Sequence, residues 1–341
     1  MVGTGRATDA ASTATIGDVA AAAGVSTATV SRVLAGVGHA RPETRARVLE
    51  AARALDYRPS EVARALKRRS TQTLGLIVTD IENPYFPQLV RAVEDAAREA
   101  GYFVLLGNAA DDPDREGSYL DLLADRRVDG LIVAASSLGG RHREWLAAPR
   151  VPVVLVNTVA PEVALPAVLS DNVDGGRLAA AHLLGLGHRR FAYLKPPARN
   201  EDAKARLAGV RTALDDAPGD VELVIANGDA LVPGGEQAAL EVLELAPDTT
   251  AVIAYNDLMA IGALRALRRR GRRVPADASV IGFDDIAVAA YVDPPLTTIA
   301  QRTDEMGRWA VGRLTGTVNG ADTVRLPVEL RVRESTGPAP V

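Results

Sequence analysis

The chain has no cysteine, four histidines, and no apolar run of membrane-spanning length free of proline or charge. Without cysteine, disulfides and thiol catalysis are excluded, and nothing marks an oxidising compartment. His39, His142, His182 and His188 are scattered without metal-ligand spacing, so no metal is expected. His188, in LGHRR, reads as a structural residue at a helix end. A G-x-S-x-G elbow and a Walker loop are missing too, so no catalytic residue and no cofactor are expected, and the chain does not read as an enzyme. The opening MVGTGRATDAASTA lacks the apolar core of a signal peptide; residues 1–14 read as a disordered tail and the protein as cytoplasmic, with no membrane partner.

What is present divides by charge. At 341 residues the chain exceeds one ordinary core and predicts two or three units. Residues 1–70 carry 11 Lys and Arg against 6 Asp and Glu, a net of +5 that leaves −9 for the rest of a chain whose total is −4. A basic head attracts phosphates, whereas an acidic body is repelled from DNA. Solvated basic helices are common, so charge alone does not decide.

The stretch Thr15 to Tyr57 decides more. Thr15 is a good N-cap, followed by Ile16, Val19, Ala20 and Ala23 at helical spacing and by Gly24 as a stop. A second helix follows at once, capped by Ser26 or Thr27, with Val30, Val33 and Leu34 inward and Thr27, Ala28, Ser31 and Arg32 outward. Small outward side chains let such a helix sit deep in a major groove. A third helix has Pro42 in its first turn and is expected to bury Val48, Ala52 and Leu55. An ordinary surface helical hairpin is the plain alternative; the turn, the caps and the charge favour a helix-turn-helix DNA reader.

After Arg58, Pro59 and Ser60, residues Glu61 to Arg69 fit one short helix with Val62, Ala65 and Leu66 on one side. So short a helix is marginal alone and would fold on docking, unless the stretch is a solvated linker. From Thr73 onward, apolar runs alternate with amphipathic stretches, as a helix-covered parallel sheet requires. The runs are LGLIVTD, YFVLLGN, GLIVAAS, PVVLVNT, RFAYLKP, VELVIAN, TAVIAYND and ASVIGFDD. Several end in polar residues, namely Asp80, Asn108, Asn157, Asn256 with Asp257, and Asp284 with Asp285. Each fits a helix cap taken singly; the set fits a pocket at the carboxyl ends of the strands.

With TIGDVAAAAGVS and ATVSRVL in the head, the chain resembles the lactose-repressor (LacI/GalR) family of bacterial transcription regulators from Thr15 to about its last ten residues. The resemblance implies an N-terminal all-α helix-turn-helix headpiece plus an α/β type I periplasmic-binding-protein-like core of two doubly wound parallel-sheet subdomains. Expected boundaries are a headpiece at 15–59, a hinge helix or linker at 60–72, and a core at 73–337. Within the core, subdomain one would take about 73–170 and 299–324, and subdomain two 171–298 and 325–337. The implied function is a sequence-specific repressor whose operator affinity is set by a small molecule bound between the subdomains. Thr27 and Ala28 match the family's specificity positions; Thr29, Ser31 and Arg32 match its phosphate and base contacts. Thr15, His39, Thr44, Arg45 and Tyr57 match contacts to the backbone or groove edge, although Tyr57 also reads as core. Leu66 matches a leucine that wedges between base pairs and kinks the duplex, at a cost of a few kcal/mol that wider contact offsets.

The resemblance also implies an effector site. Asn83, Tyr85 and Phe86 match the first ligand loop, with the Phe86 ring face toward a sugar or base. Asn157 stands where the family often has Asp, which changes the donor pattern. Arg206, in KARLAG, matches an arginine that forks onto vicinal hydroxyls or a carboxylate. Asn256, Asp284 and Gln301 match polar contacts of the second subdomain and the crossover. Together they imply a sugar or sugar derivative. Two departures qualify that: Ala230 stands where many members have a second aromatic, and LKPPARNEDAKAR, with Lys195 and Lys204, leaves open a phosphorylated or acidic effector or a solvent-facing loop. The partners are then palindromic double-stranded operator DNA, the effector, and a second copy, because one head reads only a half-site. RVRESTGPAPV lacks leucine heptads, so a dimer is expected rather than a tetramer. A secreted solute-binding protein would share the body but needs an export signal and has no use for the head.

Overall fold

The structure is a computed structural model and describes residues 14–36, 40–57, 70–135, 140–158, 164–196, 201–320 and 322–340. The expected tail up to residue 13, His39, and the expected hinge helix from Glu61 to Arg69 with Leu66 lie outside the described residues. The chain divides into two compact units, Met1–Thr71 and Gln72–Val341.

The first unit is three helices on one small core. Helix α1 (Ile16–Ala23) opens with a reciprocal cap: the Thr15 hydroxyl accepts from the Asp18 amide, and the Asp18 carboxylate accepts from the Thr15 amide at 2.8 Å. Gly24, at φ +63°, closes it in the left-handed conformation. Helix α2 (Thr27–Leu34) is capped by Ser26 rather than Thr27, and α3 (Pro42–Ala54) starts on its proline. Val19, Ala20, Ala23, Val30, Val33, Val48, Ala51 and Ala52 form the core. Leu55, expected inside, is 38% exposed. It lies one residue past the end of α3 in the chain's turn, so the 3.6-residue stripe no longer governs it, and Ala51 takes the inward position instead.

The second unit contains two six-stranded sheets. The first is built from β1 (Thr73–Val78), β2 (Phe103–Asn108), β3 (Gly130–Ala134), β4 (Val153–Val156), β5 (Ala167–Ser170) and, much later in the chain, β11 (Thr323–Leu326). Their spatial order is β2-β1-β3-β4-β5-β11, all parallel. The second holds β6 (Arg190–Lys195), β7 (Glu222–Asn227), β8 (Ala251–Ala254), β9 (Ser279–Asp284), β10 (Thr297–Ala300) and β12 (Glu329–Arg331), ordered β7-β6-β8-β9-β10-β12 with β12 antiparallel. Helices α4 (Tyr85–Glu99), α5 (Pro113–Asp125) and α6 (Gly140–Ala147) belong to the first half, and α7 (Asn172–Gly185), α8 (Glu201–Asp215), α9 (Val232–Leu245) and α10 (Asp257–Arg269) to the second. Helix α11 (Thr303–Thr315) returns to the first half, where Gly307 meets the backbone of Ala92. The chain thus passes between sheets after Ser170, after Ala300 and after Leu326, the last two residues beyond the expected Val324.

In each sheet the order reverses at the first strand, β1 or β6, which is where an open α/β sheet leaves a crevice beyond its strand ends. Buried β1, β3 and β4 read as continuous apolar runs for that reason. Strand β2 reads the same way in sequence but forms the sheet's edge, leaving Phe103 78%, Leu105 44% and Leu106 46% exposed. No described helix is long and apolar enough to cross a membrane.

Candidate functional site

Two surfaces carry the expected residues. On the head, Thr27, Ala28 and Arg32 are exposed along α2, and Thr29 and Ser31 are half-buried beside them. The Thr29 amide donates to Ser26 Oγ at 3.2 Å, so Thr29 serves the cap as well as the surface. Arg32 Nε donates to the Ala28 carbonyl at 3.3 Å, folding this cation along its own helix. Arg45 is exposed, Thr44 half-buried, and Tyr57 packs partly buried against the head's core. Thr15 is exposed at the start of α1, and hydrogen bonding from its amide and hydroxyl holds the Asp18 carboxyl below its ordinary value.

In the second unit, all eight effector candidates line one cleft of about 640 Å³, its open mouth included. Asn83, Tyr85 and Phe86 come from the turn after β1 and the start of α4, Asn157 from the end of β4, and Arg206 from α8. Asn256 caps α10, Asp284 ends β9, and Gln301 follows β10. Strain gathers here too: Asp111, Ala135, Asn157, Ala230 and Asp284 line the cleft at positive φ, a conformation that side chains disfavour.

The floor is a connected polar network. Arg206, 4% exposed, donates from Nε to Asn172 Oδ1 at 2.8 Å and from Nη1 to the Tyr255 carbonyl at 2.7 Å. Its guanidinium lies 3.5 Å from the Phe283 ring centroid and 4.6 Å from that of Tyr255. Nη1 also stands 3.6 Å from Asp284, whose carboxylate accepts from Gln301 Nε2 at 2.7 Å. Gln301 Oε1 in turn accepts from Asn157 Nδ2 at 2.8 Å, joining the two halves through the crossover. Arg206 Nη2 has no hydrogen-bond partner among the described residues and is free to reach a ligand.

Not every lining residue has capacity left for a ligand. Asn157 Nδ2 also donates to Tyr85 Oη at 2.6 Å, and its Oδ1 accepts from the Ser170 amide, so the Asn-for-Asp change serves the floor's internal bonding. Asn256 accepts from the Met259 amide and donates to the Ala230 carbonyl, the cap that a lone strand-end Asn suggests. Tyr85 meets Phe86 edge to face with centroids 5.3 Å apart, and burial pushes its hydroxyl's ionisation far up.

A model of bacterial regulatory proteins of the lacI family matches residues 15–60, and one of periplasmic binding proteins and the sugar binding domain of that family matches residues 71–333. The chain belongs to the LacI family. Among its relatives, the HTH-type transcriptional repressor PurR of Mannheimia succiniciproducens is 37% identical over 94% of this chain and 98% of its own. The solved Lac repressor dimer, bound to operator and the anti-inducer ONPF, has a TM-score of 0.85 at 31% identity, covering 95% of this chain and 99% of that one. The transcriptional regulator CelR in complex with cellobiose has a TM-score of 0.71 at 34% identity, over 94% and 99%.

Within this LacI-family cleft the structure adds residues that the sequence reading passed over, Thr79, Asp111, Ala135, Asp202, Asp229, Leu231 and Tyr255, and it places Asp80 there as well. Asp80 was visible only as a strand ending. Asp111 and Asp202 lie inside polar stretches where no local pattern separates a cleft carboxylate from a solvated one. Asp202 accepts from Asn172 Nδ2 at 2.9 Å, and burial raises its pKa against the pull of Arg206. Lys195 and Lys204, which left open an anionic effector or a solvent-facing loop, are not among the lining residues; Lys204 pairs with Glu201 at 2.6 Å. Fully buried His188 bonds Thr250 and Ser279, and burial lowers its pKa.

Proposed function

We propose that this chain is a cytoplasmic repressor that grips a palindromic operator as a homodimer and changes its grip when a sugar-like effector enters the cleft. The head supplies a small-faced helix for a major groove, with Thr27 and Ala28 at its base-reading end and Arg32, Arg45 and Thr44 toward phosphates. Leu66 would wedge the minor groove, although it lies outside the described residues. The similar Lac repressor was solved with operator and an anti-inducer and the similar CelR with cellobiose, which supports reading this chain as a regulator rather than an enzyme.

The observation that carries the reading is Arg206. A guanidinium buried between two aromatic rings, bonded on one side and open on Nη2, is oriented before any ligand arrives. Through Asp284 and Gln301 it touches the network that spans both halves, so a polyol bound there favours their closure. Charge-assisted hydrogen bonds contribute about 1.5–3 kcal/mol each, enough in small number for micromolar affinity. Coupling to the operator follows if closure changes the separation of the two heads, with a linkage typically of about 1–3 kcal/mol that acts reciprocally.

The test is a mobility-shift titration on operator DNA with and without effector. Arg206→Ala is expected to keep operator affinity and to lose the effector response. A variant that still responds like the wild type removes the cleft from the mechanism.

A further inference from the structure

The cleft's charge is lopsided. Its described lining holds five carboxylates, Asp80, Asp111, Asp202, Asp229 and Asp284, against the single cation Arg206. On the floor the charges offset one another: Asp284 is 3.6 Å from Arg206, and Asp202 lies in the same field. Asp229 is held by two amides, from Leu231 at 2.8 Å and Gly234 at 3.1 Å, at the start of α9. Asp80 receives one amide, from Glu82 at 3.1 Å. Asp111 receives no hydrogen bond from the described residues.

Asp80 and Asp111 follow neighbouring parallel strands whose ends pair Val78 with Asn108. The Asp111 amide donates to the Thr79 carbonyl at 3.0 Å, which sets this exposed residue beside Asp80, and partial burial and then the charge of Asp80 raise its pKa; neither carboxylate has an ion-pair partner among the described residues. A metal is a poor candidate for that role, because no group of three His, Cys, Asp or Glu side chains comes together among the described residues. An anionic ligand would meet the field of these carboxylates, and neither Lys195 nor Lys204 lines the cleft to offset it. A hydroxyl can donate to a carboxylate but leaves the mutual repulsion in place; an ammonium removes it.

We propose that the effector is an amine-bearing polyol, an amino sugar or near relative, with its hydroxyls on Arg206 and its cationic nitrogen between Asp80 and Asp111. This rests on the reading of the cleft as the effector site. It also accounts for the missing second aromatic at Ala230, since a cation held by two carboxylates needs less stacking to fix its orientation.

Calorimetric titration of the full-length protein would use three matched series: glucose, galactose and mannose, each with its 2-amino, N-acetylamino and 6-phosphate derivatives. At least one free amine is expected to bind about tenfold or more tightly than its parent hexose, which the N-acetyl form does not do and the 6-phosphate falls below. Asp111→Asn, at an exposed position, and Asp80→Asn, at a half-buried one, should bring the amine back to the level of its parent while thermal melting stays that of the wild type. Equal binding of parent and amine, or preference for a phosphate, overturns the inference and leaves a polyol cleft standing. Silence across all three series overturns both.

Discussion

At the scale of single residues, Asp284 links cleft chemistry to stability. Burial raises its pKa from 3.8 to about 6, an effect that Arg206 and Gln301 only partly counter. The folded protein therefore holds a proton between those values that the unfolded chain has released, so this residue's contribution to stability falls as pH rises from 4 to 6 and is level above. A shift of that size corresponds to about 3 kcal/mol. Asp202 and Asp257 are shifted in the same direction by burial and slope the wild-type profile likewise. Asp284→Asn should remove one part of the slope: the melting-temperature gap between variant and wild type widens in the variant's favour from pH 4.5 to 6.5. Parallel profiles would show that the carboxyl is not perturbed. Residues of this kind were half legible in sequence. Arg206, Asp284 and Gln301 stood in family motifs, whereas Asp111 and Asp202 become visible only when the strand order brings separate polar loops to one crevice.

At the scale of elements, what holds Arg206 in place is the contact between α7 and α8. A Cβ on Gly176 would run into the Arg206 carbonyl oxygen, and one on Gly209 into that of Val173, so the two helices meet backbone to backbone. Gly176→Ala must push α8 away, at about 1–3 kcal/mol, and tilt the guanidinium off Asn172. Gly185, in the same α7, has nothing within 4 Å of the added carbon and no positive φ. Gly185→Ala should therefore be neutral or stabilise by up to about 1 kcal/mol. The urea midpoint should fall for Gly176→Ala and hold or rise for Gly185→Ala, with the effector response lost only in Gly176→Ala; equal shifts would mean that the contact is loose. Elements differed in legibility for comparable reasons. Eight strands announced themselves as apolar runs, several of them with polar ends. Strands β5, β10, β11 and β12 did not, because polar residues interrupt AVLS, TTIA, TVRL and ELR, whereas the equally short β4 and β8 are wholly apolar. Leu55 failed differently, since the stripe of α3 ended one residue before it.

At the scale of the whole molecule, the proposed homodimer needs a surface that brings two heads together. Edge strand β2 presents Phe103 and Leu105 on one face and Leu106 on the other, with Leu122 of α5 exposed nearby at 47%. A bare apolar edge is a hazard in a monomer and a natural seam between copies. The basic head supports only half of a palindrome, so two-fold pairing through this edge would join two weak half-site contacts into one strong one through effective concentration. Phe103→Asp changes a residue already 78% exposed, and the fold should tolerate it. Sedimentation should then show a shift from dimer toward monomer, and affinity for the palindromic operator should fall by roughly a hundredfold toward the half-site value. Effector binding, which uses one chain's cleft, should survive, and the steep loss of operator binding with salt should become shallower as fewer phosphates are neutralised. If Phe103→Asp remains a dimer with undiminished operator affinity, the seam lies elsewhere, and exposed Tyr291 beside Val288 in the second half is the next surface to charge.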